Sequence, residues 1–246
     1  MGEVLAVLSG KGGTGKTSVC AGVAEALAEE GKKVLCIDCD VGLRNLDISL
    51  GMTECPTLSF LDILRGDYSL SQAAEHPMYP ELYFLTAPIN GSPGSVDREA
   101  FGELLNEGRE NFDYIFLDAP AGVDEGFHLA ACQADRHLLV TGAGPAAVRD
   151  ATRVADILEL MGKSQVKMIV NRVSREMLGT VKVTIDDVMD TAGVPLMGVI
   201  PEDPNVTLAA SFGRPLLYFA RRSPAAKACR RIAKRIQGLH EPVAFK

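Results

Sequence analysis

Seven short apolar runs punctuate the chain, and most are separated by amphipathic stretches with helical spacing. The runs are Val4–Leu8, Lys33–Asp38, Leu82–Leu85, Phe112–Asp118, Arg136–Thr141, Val166–Val170 and Leu196–Ile200. They are continuous rather than alternating in polarity, the pattern of parallel strands covered on both faces. Within Ser18–Glu30, Val19, Val23, Ala26 and Leu27 recur at helical spacing, and Gly31 supplies a stop. Further helices are predicted over Asp97–Arg109, with Phe101, Leu104 and Leu105 on the apolar face, over Ala146–Met161 and over Ile185–Ala192. Thr57–Leu64 and Ser69–Ala74 read as short helices on either side of Gly66. Such strand–helix alternation predicts an α/β fold, a doubly wound and mostly parallel sheet. Asn90–Ser95 reads as a loop rather than a linker between domains, because periodic sequence resumes at once.

The first run leads into Gly10-Lys11-Gly12-Gly13-Thr14-Gly15-Lys16-Thr17, which matches G-x-x-x-x-G-K-S/T, and the first helix follows directly. Glycines here let backbone N–H groups turn inward on a di- or triphosphate at a helix N-terminus. Gly12, Gly13, Thr14, Gly15, Lys16, Thr17 and Ser18 are therefore candidate nucleotide-binding residues, with Lys16 meeting the β- and γ-phosphates. The Thr17 hydroxyl is a candidate magnesium ligand, since this hard cation takes oxygen donors. Asp38 and Asp118 each end an apolar run, at the carboxyl edge where open α/β sheets bind ligands. Beside a phosphate loop, an acid in Asp118's position suits a carboxylate that holds magnesium or its waters. Asn171 ends another run, and its amide offers both the donor and the acceptor that an adenine edge requires.

With the second lysine, Lys11, the run from Lys11 to Thr17 resembles the deviant Walker A motif of the ParA/MinD superfamily. Asp38-Cys39-Asp40-Val41-Gly42-Leu43-Arg44-Asn45-Leu46-Asp47 is similar to switch I of MinD proteins, although Asn45 and Asp47 also suit a turn and a capped helix. Ala119–Gly126 resembles their switch II, and Pro201-Glu202-Asp203 their base-edge loop. The resemblance covers most of the chain. It implies a P-loop fold of the SIMIBI type and an ATP hydrolase that forms a homodimer on binding ATP and Mg2+. It further implies a catalytic set of Lys11, Lys16 and Asp40, in which Lys11 crosses to the partner's nucleotide and Asp40 orients the attacking water. Thr17, Asp38 and Asp118 would stand at the magnesium, and Asp38, Asp40, Asn45, Asp118 and Gly122 would form the switches. Asn171, Arg172, Pro201, Glu202 and Asp203 would meet the base. The family's expectations also include septum placement, regulators of the MinC and MinE kind and an anionic membrane surface. The implied location is cytoplasmic, or peripheral at the inner face of the cell membrane. A ParA-type partitioning ATPase or a flagellar-number regulator is the rival reading, and a non-hydrolysing scaffold or a metallochaperone is a third.

A chain of 246 residues suits one sizeable domain. The net charge of -7 disfavours a generally basic nucleic-acid surface. The 6 cysteines are scattered and, with no signal peptide ahead of them, read as reduced intracellular thiols. Cys36 and Cys39 spell C-x-x-C, but at a strand end and without a second pair, so core thiols rather than a metal centre are expected; Cys132 stands alone. No stretch approaches the roughly eighteen apolar residues of a membrane span. Ala6 stands where a myristoylation signal needs Ser or Thr. The chain divides into an ATPase domain, 1–225, and a basic helix and tail, 226–246. There Ile232, Ile236 and Leu239 form a stripe flanked by Arg230, Arg231, Lys234 and Arg235. It suits either a helix lying on a membrane surface or a last helix packed on the sheet. Glu241–Lys246 is not helical and adds one aromatic, Phe245.

Overall fold

Val4 to Leu8 are fully buried because their strand lies near the middle of a sheet with helices on both faces. The computed structural model describes residues 1–89, 94, 96–174 and 185–242. Its strands are β1 (Glu3–Leu8), β2 (Val34–Asp38), β3 (Ala74–Glu75), β4 (Leu82–Leu85), β5 (Tyr114–Asp118), β6 (Arg136–Thr141), β7 (Val166–Val173) and β8 (Leu196–Pro201). Their order is β3-β4-β2-β5-β1-β6-β7-β8, and every neighbouring pair is parallel except β3 with β4. Seven of these strands correspond to the seven apolar runs; the eighth, β3, corrects the helix expected over Ser69–Ala74. There Leu70–Gln72 make a single 3-10 turn, closed by reciprocal bonds between Ser69 and Gln72, and the chain then pairs with β4. Two residues at a sheet edge are too few to show a period.

The described helices are α1 (Lys16–Glu29), α2 (Leu46–Leu50), α3 (Phe60–Leu64), α4 (Arg98–Asn111), α5 (Glu125–Gln133), α6 (Pro145–Leu160), α7 (Ile185–Ala192), α8 (Pro204–Ser211), α9 (Leu216–Phe219) and α10 (Pro224–Ile236). The expected helix over Thr57–Leu64 begins only at Phe60, because Ser59 and Asp62 close a capping box that fixes the start. One core layer packs Phe60, Phe101, Leu105 and Phe127 on one face of the sheet. The other packs Leu27, Leu46, Phe84, Phe116, Leu217 and Ile232 on the opposite face. Each such side chain contributes about 1.5–3 kcal/mol of burial.

Helix α10 resolves the two readings of the basic tail. Ile232 and Ile236 are buried in the second layer, where the helix packs on α1 and β8. Gly198 in β8 leaves the space into which Ile232 fits. The cations are engaged as well: Arg230 pairs with Glu29 at 2.7 Å, and Arg235 donates to the Met197 carbonyl at 2.6 Å. The boundary expected at 225/226 lies within α10, whose apolar stripe Ile232 and Ile236 is buried against the sheet. Leu239 is exposed beyond it. Most of the Asn90–Ser95 loop and residues 243–246, Phe245 included, lie outside the described residues. Among the described residues no helix is long and apolar enough to cross a membrane.

Candidate nucleotide site

The loop between β1 and α1 lies at the carboxyl edge of the sheet, with β2, β5 and β7 ending around it. Gly15, the N-cap of α1, has φ 81°, and a Cβ there would run into the Asn171 amide, so only glycine fits. Lys16 begins α1 and is buried. Its Nζ lies 2.6 Å from Asp118 Oδ1 and 3.3 Å from Thr17 Oγ1. Register places Asp38 and Asp118 side by side at the ends of β2 and β5. Burial pushes the Asp38 carboxyl up to about 6, the neighbouring Asp118 adds to this, and N–H bonds from Asp40, Leu46 and Asn45 oppose it. Burial also raises the half-buried Asp40 carboxyl, against the pull of Lys16. For Lys16 itself burial acts to lower the pKa, but the charge and hydrogen bond of Asp118 outweigh it, and the ammonium is held protonated.

Asp38 also shapes the turn that follows β2. Its carboxylate accepts from the backbone N–H of Asp40 at 2.9 Å, Asn45 at 3.1 Å and Leu46 at 3.2 Å. Asn45 is the N-cap of α2, yet its side chain makes no capping bond, so the structure assigns that work to Asp38. Asn45 is itself exposed and brings no side chain to the site. In the turn after β5 Gly122, with φ 95°, donates its N–H to the Ser9 carbonyl at 3.0 Å, which ties this turn to the end of β1. Ser9 Oγ in turn donates to the Lys11 carbonyl at 3.1 Å. The Lys11 side chain is exposed on the outer rim and makes no ion pair among the described residues.

Beside the loop opens a cavity of about 530 Å³, lined by Gly13, Gly15, Ser18, Asn171, Arg172 and the segment from Pro201 onward. Asn171 Nδ2 donates to the Thr14 carbonyl at 2.8 Å. Arg172 adopts φ 55°, unusual for a residue with a side chain, and its guanidinium donates to the Gly13 carbonyl at 2.9 Å. Pro201 and Glu202 edge the cavity, whereas the Asp203 carboxylate is occupied elsewhere. It accepts from Asn205 N at 3.0 Å and Ala225 N at 3.1 Å, which caps α8 and secures the first turn of α10. Sequence reading missed Val206, Thr207 and Ala210, which α8 places on the cavity wall. Its signal was present in Asp203-Pro204, a capping residue followed by proline at the first helical position.

The donor set fits a magnesium–nucleotide pair. Thr17, Asp118 and Asp38 bring oxygen donors, the ligands a hard cation takes, to the neighbourhood of Lys16, and the first-turn N–H groups of α1 have no intrahelical partner. The Thr14 hydroxyl is enclosed and has no hydrogen-bond partner among the described residues, as expected of a group that meets a phosphate. Cys36 and Cys39 are buried, and the described residues hold no group of three or more His, Cys, Asp or Glu side chains placed to bind a metal by themselves.

Comparison with known proteins bears on this site. Residues 5–216 match the family described as the CobQ/CobB/MinD/ParA nucleotide binding domain. The septum site-determining protein MinD of Synechocystis sp. is 36% identical over 98% of this chain and 92% of its own length. The chain belongs to the MinD family. A chain of the MinC:MinD cell division protein complex of Aquifex aeolicus matches with a TM-score of 0.91 at 35% identity, covering 99% of this chain and 98% of that one. The MinD of Pyrococcus horikoshii, solved with Mg-ADP, matches with a TM-score of 0.83 at 28% identity, covering 96% of each chain. MinD-family proteins are ATPases that bind ATP and Mg2+, and the loop, paired acids and cavity described above are where this chain would hold them.

Proposed function

We propose that this protein is a MinD-type ATPase that pairs on binding ATP, hydrolyses it and so regulates where the division septum forms. One observation carries the reading: Lys16, Thr17, Asp38 and Asp118 converge beside an unpartnered Thr14 hydroxyl and a base-sized cavity. The loop amides from Gly12 to Ser18 bind the phosphates of ATP, and Lys16 balances the charge of the terminal pair. Thr17, Asp38 and Asp118 would hold magnesium and its waters, and the ion would supply charge neutralisation for phosphoryl transfer. Asp40 orients the attacking water. Asn171 and Arg172, braced against the loop carbonyls, present the base pocket together with Pro201 and Glu202. Asp203 holds the pocket wall rather than the base.

Lys11 is the exposed cation of the loop and reaches the nucleotide of a second copy, as the deviant Walker A resemblance implies. Asp38, which holds both the metal position and the start of α2, couples the γ-phosphate to the first switch. Gly122 does the same for the second through Ser9. A MinC-like regulator is the partner that fits the likeness to the Aquifex complex. The partitioning ATPase is the less favoured reading, since the curated relatives are septum site-determining proteins. Calorimetric titration with Mg-ATP tests the site. Lys16→Ala should lose binding by about a hundredfold or more, and equal affinity in Lys16→Ala and the unaltered protein would refute the reading.

A further inference from the structure

Four large apolar side chains stand together in solvent at the corner of α8 and α9, away from the phosphates. Leu208 is 45%, Phe212 67%, Tyr218 61% and Phe219 37% exposed. Phe212 and Phe219 stack on each other, with centroids 5.6 Å apart and an interplanar angle of 21°. Flanking them in sequence are Arg214, Arg221, Arg222 and Lys227, all exposed. None of these four has an ion-pair partner among the described residues. On a chain of net charge -7 this concentrates cations in one short stretch; Glu29 and Glu30 line the groove beside Tyr218 and Arg221, where Glu29 is paired with Arg230. Phe, Tyr and Arg are the side chains enriched at the centres of protein interfaces.

Three contacts tie this corner to the nucleotide site. The opposite face of α8 contributes Val206, Thr207 and Ala210 to the wall of the base cavity. At the end of α2, Gly51 adopts φ 68°, and a Cβ there would lie 2.9 Å from the Gly213 carbonyl oxygen and from Pro215 Cδ. The first switch therefore ends in direct contact with the segment that joins α8 to α9. Within α1, buried Glu25 accepts from the Leu217 N–H at 2.9 Å, which fastens α9 to the phosphate-loop helix. Movement of α1, α2 or α8 with nucleotide is transmitted to Phe212 and Tyr218 through backbone packing.

We propose that this corner docks an acidic polypeptide segment bearing apolar anchors, and that the nucleotide sets its affinity; the coupling, but not the docking, rests on the function proposed above. The four cations select acidic residues, and the stacked rings select the anchors. The two rings form a flat platform with both members committed to each other, which suits an opposing side chain better than insertion among acyl chains.

The test uses the full chain and a labelled helical peptide with Leu and Phe at every third or fourth position and Glu elsewhere. A Lys-substituted peptide and phosphatidylglycerol vesicles are run in parallel. Fluorescence anisotropy should show saturable binding of the Glu peptide, weakened about tenfold or more by Phe212→Ser and by the double change Arg221→Glu/Arg222→Glu. Both variants should titrate ATP like the unaltered protein. Affinity for the peptide should differ between the ATP and ADP forms, and equal affinities overturn the coupling. Failure to bind the Glu peptide, equal binding by both variants, or patch-dependent binding of vesicles alone overturns the docking surface. Loss of ATP binding in the unaltered protein would instead sink the nucleotide reading and leave the peptide result standing.

Discussion

Asp38 accepts from the backbone at the start of α2 and stands beside Asp118, and in the proposed account the same carboxylate also serves the magnesium. Asp40, two residues on, carries neither task and is free to act on water. Asp40→Ala should therefore keep ATP affinity within a few-fold while turnover, read as phosphate release, falls by about a hundredfold or more. A parallel loss of binding would place Asp40 in the phosphate cradle instead. Glu25 shows what burial does to a carboxyl that makes no ion pair among the described residues. Burial pushes its carboxyl from 4.5 up to about 8, against the Leu217 N–H, and one of its oxygens has no partner. The folded chain thus keeps a proton that the unfolded chain releases between those values. Stability should fall as pH rises through that window, by up to about 1.4 kcal/mol per pH unit. Urea denaturation at pH 6 and pH 8 should show the fall, and Glu25→Gln should abolish it. An identical pH slope in the variant would contradict this origin.

Among elements, α10 separates a core helix from a membrane helix by its energetics. Ile232→Ala should cost about 2–5 kcal/mol, the range for emptying a buried site, whereas Leu239→Ala should cost almost nothing. A small loss at Ile232 in chemical denaturation would contradict the packing. Asp203→Ala removes acceptors at the starts of α8 and α10, and about 2 kcal/mol of stability should go with them. The seven main strands, with α1, α4, α6 and α7, were legible because continuous apolar runs and long amphipathic periods carry redundant signals. Short elements do not. α2 and α9 span 5 and 4 residues, too few to show a period, and both are held by buried carboxylates outside the element, Asp38 just before α2 and Glu25 far from α9 in sequence. The site was legible in its residue types but not in its pairings. Nothing local predicts that Asp118 holds Lys16, or that the Asp203 carboxylate accepts from the first turns of two helices.

At the scale of the molecule, parallel strands bring residues from positions 10 to 203 to one edge, where loop, acids and base pocket face the same side. Lys11 is the exposed cation on that edge, and in the proposed account it serves a second copy. The central claim is that ATP, not ADP, brings two copies together through it. Sedimentation velocity on Asp40→Ala, which binds ATP but turns it over slowly, tests this most directly. The account predicts a dimer with Mg-ATP, a monomer with Mg-ADP, and a monomer with either once Lys11→Ala is added. One species regardless of nucleotide, or an ATP-bound dimer undiminished by Lys11→Ala, would contradict it.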